Sequence, residues 1–120
     1  MIGGLVALKV DPNIMAKLAG QRMSMIVTGT NGKSTTTRMA ANALRTAYTV
    51  ATNDGGDNMD AGIVSALNQD LDADAICLEV DEMHVPHVMD ALSPTVLVLL
   101  NLSRDQLDRV GEINTIERRL

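Results

Sequence analysis

Hydrophobic and polar residues divide the chain into short apolar runs and longer amphipathic stretches. Four runs of five or six residues have the composition of strands, and they cover residues 23–28, 48–52, 75–80 and 95–100. Three stretches between them repeat apolar residues at helical spacing, and they cover residues 33–47, residues 58–68 and a helix beginning near Pro86. This alternation predicts an α/β fold, with right-handed crossovers and a mostly parallel sheet that carries helices on both faces.

Helix ends and helix faces can be predicted in more detail. Asp11 suits an N-cap, Pro12 suits the first turn and Gly20 suits the end of a short helix before the first strand. Residues 112–120 have the pattern of a further helix. In the helix at residues 33–47, the apolar face consists of Met39, Ala43, Leu44 and Ala47. The eight methionines fall mostly at core-like positions, so we interpret them as packing residues.

Composition and charge narrow the classes of function. The chain has no Trp or Phe and only one aromatic residue, Tyr48, so a stacking platform for single-stranded nucleic acid is not expected. The net charge is −5, and the interval between Arg45 and Arg104 contains ten Asp and Glu but no Lys or Arg. Such a surface repels a phosphate backbone and disfavours the binding of nucleic acid.

Cysteine usage and the absence of targeting signals bear on location. Cys77 is the only cysteine, which excludes an internal disulfide and a multi-cysteine zinc site within these residues and fits a reducing cytosol. The N-terminal run is short and broken by Gly3 and Gly4, unlike a signal peptide. No stretch approaches the ~20 apolar residues of a membrane span. We therefore expect a cytoplasmic protein.

The strongest candidate for chemistry lies between the first predicted strand and the first long helix. Residues 28–35 read Thr-Gly-Thr-Asn-Gly-Lys-Ser-Thr, which matches the short Gly-x-x-Gly-Lys-Ser form of a phosphate-binding loop. Glycines let main-chain N–H groups approach a phosphate, and a helix N-terminus adds further donors. The predicted nucleotide-binding residues are Gly29, Thr30, Asn31, Gly32, Lys33, Ser34 and Thr35.

This loop predicts a P-loop NTPase-like site for ATP and Mg²⁺. Lys33 would reach the terminal phosphates, and the hydroxyl of Ser34 would ligate the magnesium ion. The simpler alternative is a glycine turn followed by an ordinary helix.

Ligands of parallel sheets bind at the carboxyl ends of the strands, so polar residues after the other strands are further candidates. Glu79 ends an apolar strand, where its carboxylate can hold magnesium directly or through water. For Glu79, metal binding is favoured over acidic capping of the next helix, whereas for Asp81 and Glu82 the two roles are equal alternatives.

Three other groups of polar residues can be interpreted in two ways. Asn58 follows two glycines, where it can orient a phosphate oxygen or belong to a plain turn. Arg104 or Arg109 could stabilise phosphoryl charge and Asp105 or Asp108 could orient it, unless their segment is an exposed salt-bridged turn. His84 and His87 are interpreted as a surface pair rather than a metal site, because no third ligand of matching geometry is in view.

Together, these motifs resemble the central ATPase domain of the Mur ligases. The resemblance rests on TGTNGKSTTT at residues 28–37, LEVDE at residues 78–82 and NLSRDQLDRVGE at residues 101–112, and it runs from about Leu5 to Glu112. All Mur ligases and folylpolyglutamate synthases share the phosphate loop. The segment RDQLDR is more specific, and it is most similar to the MurT-type subfamily, the ligase-like subunits of lipid II isoglutaminyl synthases.

The resemblance implies a reaction. ATP would phosphorylate the α-carboxylate of D-isoglutamate in the lipid II stem peptide, and ammonia from a GatD-type glutaminase partner would convert the acyl phosphate to an amide. Ser34 and Glu79 would hold magnesium, and the catalytic candidates are then Lys33, Asn58, Arg104 and Asp105. Gln106 stands where most Mur ligases carry a histidine that binds a second metal, a difference shared with MurT-like sequences.

We expect residues 1–22 to form a lead-in segment with a short helix, and residues 23–120 to form part of the central domain. The family's central domain is longer and is followed by a C-terminal ligase domain, so the 120 residues alone are expected to lack ligase activity. The alternatives are another Mur-type or folylpolyglutamate-type ligase that adds an amino acid, and a nucleotide-binding module without catalysis. A plain P-loop hydrolase is disfavoured by the short form of the loop.

Overall fold

The structure, a computed structural model, describes residues 13–53 and 59–101, and strands and helices alternate along both ranges. The helices are α1 (Ile14–Ala19), α2 (Lys33–Leu44), α3 (Asp60–Gln69) and α4 (Val85–Leu92). The strands are β1 (Met23–Thr28), β2 (Val50–Thr52), β3 (Ala75–Glu79) and β4 (Val96–Leu99). A short 3₁₀ turn, Glu82–His84, leads from β3 towards α4. The predicted α/β architecture is confirmed.

The four strands form one sheet in the order β2-β3-β1-β4, and every neighbouring pair is parallel. The register places Met23 opposite Ala75 and Met25 opposite Val96. Because all four strands run in the same direction, their carboxyl ends meet along one edge of the sheet. The last residues of the strands are Thr28, Thr52, Glu79 and Leu99.

Helices cover both faces of the sheet, as predicted. β3 shows the division, since Ile76 and Leu78 pack into one core while Ala75 and Cys77 pack into the other. The first core lies under α1, α3 and α4. Its largest buried helix residues are Met15, Ile63, Val64, Leu67, Val85 and Val88. The second core lies under α2, which packs on the sheet through Ala41.

The rotation of α2 about its axis differs from the prediction. Its buried residues are Thr37 and Ala41. Of the predicted apolar face only Leu44 packs on the sheet, while Met39, Ala43 and Ala47 are exposed. The cause lies in the first turn of the helix, which is bonded to the end of β3. Because Ser34 faces the sheet, the residues three and seven positions later, Thr37 and Ala41, face it as well. Their small side chains allow α2 to pack closely on the sheet.

Element boundaries also differ slightly from the predictions. Helix α1 begins at Ile14 with Asn13 at its N-cap, and the predicted cap, Asp11, lies outside the described residues. Helix α2 ends at Leu44 rather than at residue 47, and the N–H of Tyr48 bonds to the carbonyl oxygen of Leu44 at 2.8 Å. Tyr48 therefore closes the end of the helix, and strand β2 is shorter than predicted.

The interpretation of the methionines as packing residues holds only in part. Met15 is 1% exposed within the first core, but Met39 and Met59 are 67% and 50% exposed.

Among residues 13–53 and 59–101, no helix has the length and apolar character needed to cross a lipid bilayer. The predicted turn at residues 54–57 and the predicted helix at residues 112–120 lie outside the described residues.

Candidate nucleotide-binding site

The predicted phosphate loop, residues 28–35, lies at the carboxyl edge of the sheet, between β1 and α2. Gly29 and Gly32 have φ angles of +142° and +87°, which L side chains rarely adopt. Gly29 is also confined, because a Cβ atom there would lie 3.0 Å from the main-chain nitrogen of Asn101. Glycine at this position thus lets the loop lie directly against the end of β4.

Asn101, the first residue after Leu100, ties the loop down from the β4 side. Its main-chain oxygen accepts a hydrogen bond from the N–H of Thr30 at 2.9 Å. Its side-chain Oδ1 accepts from the N–H of Asn31, and its Nδ2 donates to the carbonyl oxygen of Asn31, both at 3.1 Å. The loop is therefore held by three hydrogen bonds to one residue, and the N–H groups of Thr30 and Asn31 face Asn101.

The start of α2 supplies the remaining main-chain donors. The first-turn N–H groups of an α-helix have no carbonyl oxygen within the helix to bind. In α2 the first N–H to bond back is that of Thr36, which reaches the carbonyl oxygen of Gly32 at 3.0 Å. The amides of Lys33, Ser34 and Thr35 therefore form the group of donors best placed for a phosphate, with the positive end of the helix dipole behind them.

Two carboxylates face the first two side chains of α2. Ser34 Oγ donates a hydrogen bond to Glu79 Oε2 at 2.9 Å. Lys33 Nζ donates to Glu82 Oε1 at 2.6 Å, and the two side chains are only 13% and 5% exposed. The structure thus brings together Lys33, Ser34 and Glu79, three of the residues singled out from sequence. It adds Glu82, whose contact with Lys33 is neither of the two alternatives considered for it.

Asn53 holds Glu79 from the β2 side and was not predicted. Its Nδ2 donates to the carbonyl oxygen of Glu79 at 2.7 Å, and its Oδ1 accepts from the N–H of Glu79 at 2.8 Å. Asn53 is 6% exposed, and it directly follows β2 as Asn101 closely follows β4. An asparagine directly after a predicted strand is the only sequence signal at this position, and it does not reveal the partner.

The remaining candidates divide between described and undescribed residues. Asp81 caps the 3₁₀ turn, because its Oδ2 accepts a hydrogen bond from the N–H of Met83 at 3.1 Å. His87 lies on the exposed side of α4. Within residues 13–53 and 59–101, no three His, Cys, Asp or Glu side chains cluster closely enough to hold a metal ion. The predicted site residues outside the described ranges are Asn58, Arg104 and Asp105, together with Gln106.

Cys77 lies beneath the site and has an altered acidity. Burial raises the pKa of its thiol from 9.0 to about 11, and the positive charge of Arg45 offsets part of this effect. Its Sγ atom donates to the carbonyl oxygen of Thr37 in α2 at 3.7 Å. Because the thiol stays protonated at neutral pH, Cys77 acts as a packing residue of the second core.

The pocket at this edge is lined by residues 30–35 and Glu79. Its donor set fits Mg²⁺, because a hydroxyl oxygen and a carboxylate oxygen 2.9 Å apart are the hard ligands that this ion prefers. It also fits a phosphate, because the first turn of α2 presents the main-chain N–H groups of residues 33–35 at this pocket. An arrangement of this kind can bind a nucleotide phosphate chain and position it for phosphoryl transfer.

Comparison with known proteins defines the class of protein. The protein-family model of the Mur ligase middle domain matches residues 27–119, which is more than half of the chain. The chain therefore belongs to the Mur ligase family of ATP-dependent ligases, as the motifs predicted.

Two kinds of relative share this domain. The chain is 38% identical over 117 residues to the subunit MurT of a lipid II isoglutaminyl synthase (glutamine-hydrolyzing) from Streptococcus pneumoniae, and 39% identical over 115 residues to that of Staphylococcus aureus. These matches cover 93% and 92% of the chain but 26% of each relative, so the chain spans about a quarter of their length. A UDP-N-acetylmuramoylalanine–D-glutamate ligase of Nitrobacter winogradskyi is 41% identical over 88 residues, 72% of the chain and 18% of that enzyme.

Proposed function

We propose that this chain is the ATP-binding portion of a ligase that activates a carboxylate by phosphorylation, with Mg²⁺ as cofactor. The observation that carries the proposal is the contact between Ser34 Oγ and Glu79 Oε2 at 2.9 Å. This contact joins the N-terminus of α2 to the end of β3. It places two oxygen atoms that can bind a metal ion opposite each other, beside the glycine-containing phosphate loop.

The division into a lead-in at residues 1–22 and a central-domain part at residues 23–120 stays a prediction, although Met15 of α1 packs into the main core.

Each described residue then has a definite task. The amides at the start of α2 and the Lys33 ammonium bind the phosphate chain, and Lys33 also orients the terminal phosphoryl group. Ser34 and Glu79 would hold Mg²⁺, which when bound neutralises phosphate charge during phosphoryl transfer. Asn53 keeps Glu79 in place, and the protein's part of the catalysis is positioning and charge compensation rather than covalent chemistry.

The finer assignment follows the MurT relatives. A carboxylate oxygen of D-isoglutamate in the lipid II stem peptide attacks the γ-phosphorus of ATP, the bond to the bridging oxygen breaks, and ADP leaves. Ammonia then attacks the acyl carbon, the bond from carbon to the phosphate oxygen breaks, and phosphate and a proton are released. A GatD-type glutaminase subunit would supply the ammonia, and lipid II would be met at the cytoplasmic side. Identity of about 38% over 93% of the chain supports this choice.

A second acceptor remains a specific alternative, because the D-glutamate ligases match 72% of the chain at 41% identity. In that reaction the amine of an amino acid, rather than ammonia, would attack the acyl phosphate. The two cases separate in a product assay with the protein from the complete reading frame. ADP formation that depends on ammonia and lipid II supports the amidating ligase, whereas dependence on D-glutamate supports the alternative.

Binding of Mg-ATP tests the proposal directly, by calorimetry on the protein from the complete reading frame. Lys33→Ala removes a charged donor to the phosphates, so we expect the Kd for Mg-ATP to rise at least about tenfold. Lys17→Ala makes the same charge change on an exposed position of α1 and should leave the Kd unchanged. If the parent protein does not bind Mg-ATP, or if both variants behave alike, the proposed site is wrong.

A further inference from the structure

The ion pair between Lys33 and Glu82 joins two parts of the chain that lie 49 residues apart in sequence. It is shorter than the contact of Ser34 with Glu79, and both of its side chains are largely removed from solvent. Exposed ion pairs contribute little, but a buried charged hydrogen bond fixes the geometry of both partners. Lysine has four rotatable side-chain bonds, so the position of its ammonium group depends on what holds it.

Glu82 is mounted on a rigid element. Val80 is fully buried, and its N–H bonds to the carbonyl oxygen of Val27 at 2.9 Å, which continues the β1–β3 ladder past the end of β3. The 3₁₀ turn that carries Glu82 is then capped by Asp81 and followed at once by Val85, which is also fully buried. The backbone on both sides of Glu82 is therefore anchored, so its carboxylate can serve as the fixed partner that orients the longer side chain of Lys33.

The two partners differ in their relation to the pocket. Lys33 lines it together with the other residues of the phosphate loop and Glu79, whereas Glu82 does not. Glu82 therefore contacts the ammonium group without itself lining the space for a phosphate. An ammonium group has three N–H donors, so Lys33 can keep its bond to Glu82 and still turn two donors towards the pocket.

We propose that Glu82 is a positioning residue for nucleotide binding, which holds the Lys33 ammonium over the phosphate loop before and while the phosphates bind. The inference rests on the proposed ATP site and deepens it. Without the carboxylate, Lys33 would have to be ordered by the nucleotide itself, and that ordering would weaken binding. A carboxylate near phosphates also repels them, and this effect opposes the first. If Glu82 positions Lys33, removal of its carboxylate weakens Mg-ATP binding. If Glu82 instead competes with the phosphates, its removal strengthens Mg-ATP binding.

The test compares the affinities for Mg-ATP and AMP of the parent protein, produced from its complete reading frame, with those of Glu82→Gln. Lys33 is expected to serve the terminal phosphates, which AMP lacks. We therefore expect the Kd for Mg-ATP to rise roughly tenfold in Glu82→Gln while the Kd for AMP stays constant. Glu82→Asp, which withdraws the carboxylate by one methylene group, should give an intermediate rise. Asp72→Asn removes one negative charge at an exposed position before β3 and serves as the matched control.

Each other outcome overturns the inference. Unchanged or tighter binding of Mg-ATP by Glu82→Gln would show that the carboxylate competes with the phosphates or does nothing. Equal weakening of Mg-ATP and AMP would show a general structural role, and the AMP measurement also reveals a variant that fails to fold. Failure of the proposed function gives a different result, since the parent protein itself would then not bind Mg-ATP.

Discussion

Replacement of Gly29 by alanine tests how tightly the phosphate loop is packed against β4. The φ angle of +142° is far from the conformations that alanine prefers. The new Cβ atom would lie 3.0 Å from the nitrogen and 3.1 Å from the oxygen of Asn101, and 3.0 Å from the Cβ of Leu100. Two of these three neighbours are main-chain atoms of a segment bonded to the loop, so the contact cannot be relieved by turning a side chain.

The magnitude follows from two contributions. A non-glycine residue in a sparsely populated conformation costs about 1–3 kcal/mol, and overpacking against immobile atoms costs about another 1–3 kcal/mol. The smaller entropy of the unfolded alanine chain returns about 0.4–1 kcal/mol. We therefore expect Gly29→Ala to lower the free energy of unfolding by about 3 kcal/mol.

Urea denaturation of the parent and variant proteins measures this difference, and Gly32→Ala provides the control. Gly32 also has a positive φ, +87°, but a Cβ atom there would meet only the Cδ1 of Leu100, at an ordinary contact distance of 3.7 Å. Its substitution should cost about 1 kcal/mol, which is conformational strain alone. If Gly29→Ala is no more destabilising than Gly32→Ala, the close approach of the loop to β4 is not a real constraint.

The remaining predictions concern the hydrogen bonds between Asn101 and the phosphate loop, and the buried thiol of Cys77. Asn101→Ala should speed hydrogen exchange of the Asn31 amide, which bonds to the side chain, more than that of the Thr30 amide, which bonds to the main chain; equal acceleration of both would refute it. Between pH 9.0 and about 11, the unfolded chain ionises Cys77 before the folded chain does. The unfolding free energy should therefore fall as the pH rises through this window, by up to about 1.4 kcal/mol per unit. Urea titrations of Cys77→Ala should lack this slope, and identical slopes in both proteins would show that the thiol is not the cause.

The parts of the site that could be predicted from sequence are those encoded by neighbouring residues. The phosphate loop is a continuous pattern with a strand before it and a helix after it, and the structure has β1 end at Thr28 and α2 begin at Lys33, as predicted. Glu79 could be placed because a single carboxylate ends an apolar run. In both cases the local pattern alone determines where the side chain lies relative to the sheet edge.

The parts that could not be predicted depend on contacts between distant segments. The partner of Lys33 is set by a 3₁₀ turn whose geometry no periodicity reveals, so Glu82 remained undecided between two other roles. The rotation of α2 is set by the bond from its first turn to β3, and the apolar residue Met39 was therefore assigned to the wrong face. Asn53 was not identified, because a side chain that bonds to another strand's main chain leaves no local pattern in the sequence.

The two asparagines at the carboxyl edge also bear on how loops can vary in such a sheet. A side-chain amide carries one donor and one acceptor group in nearly the same arrangement as a peptide unit. Asn53 and Asn101 can therefore each pair with the main chain of a neighbouring segment, as a further strand residue would do. Neither pairing therefore depends on the residues that follow Asn53 or Asn101. Insertions or replacements beyond these two positions can therefore change the connecting segments while the frame that holds Glu79 and the phosphate loop keeps its dimensions.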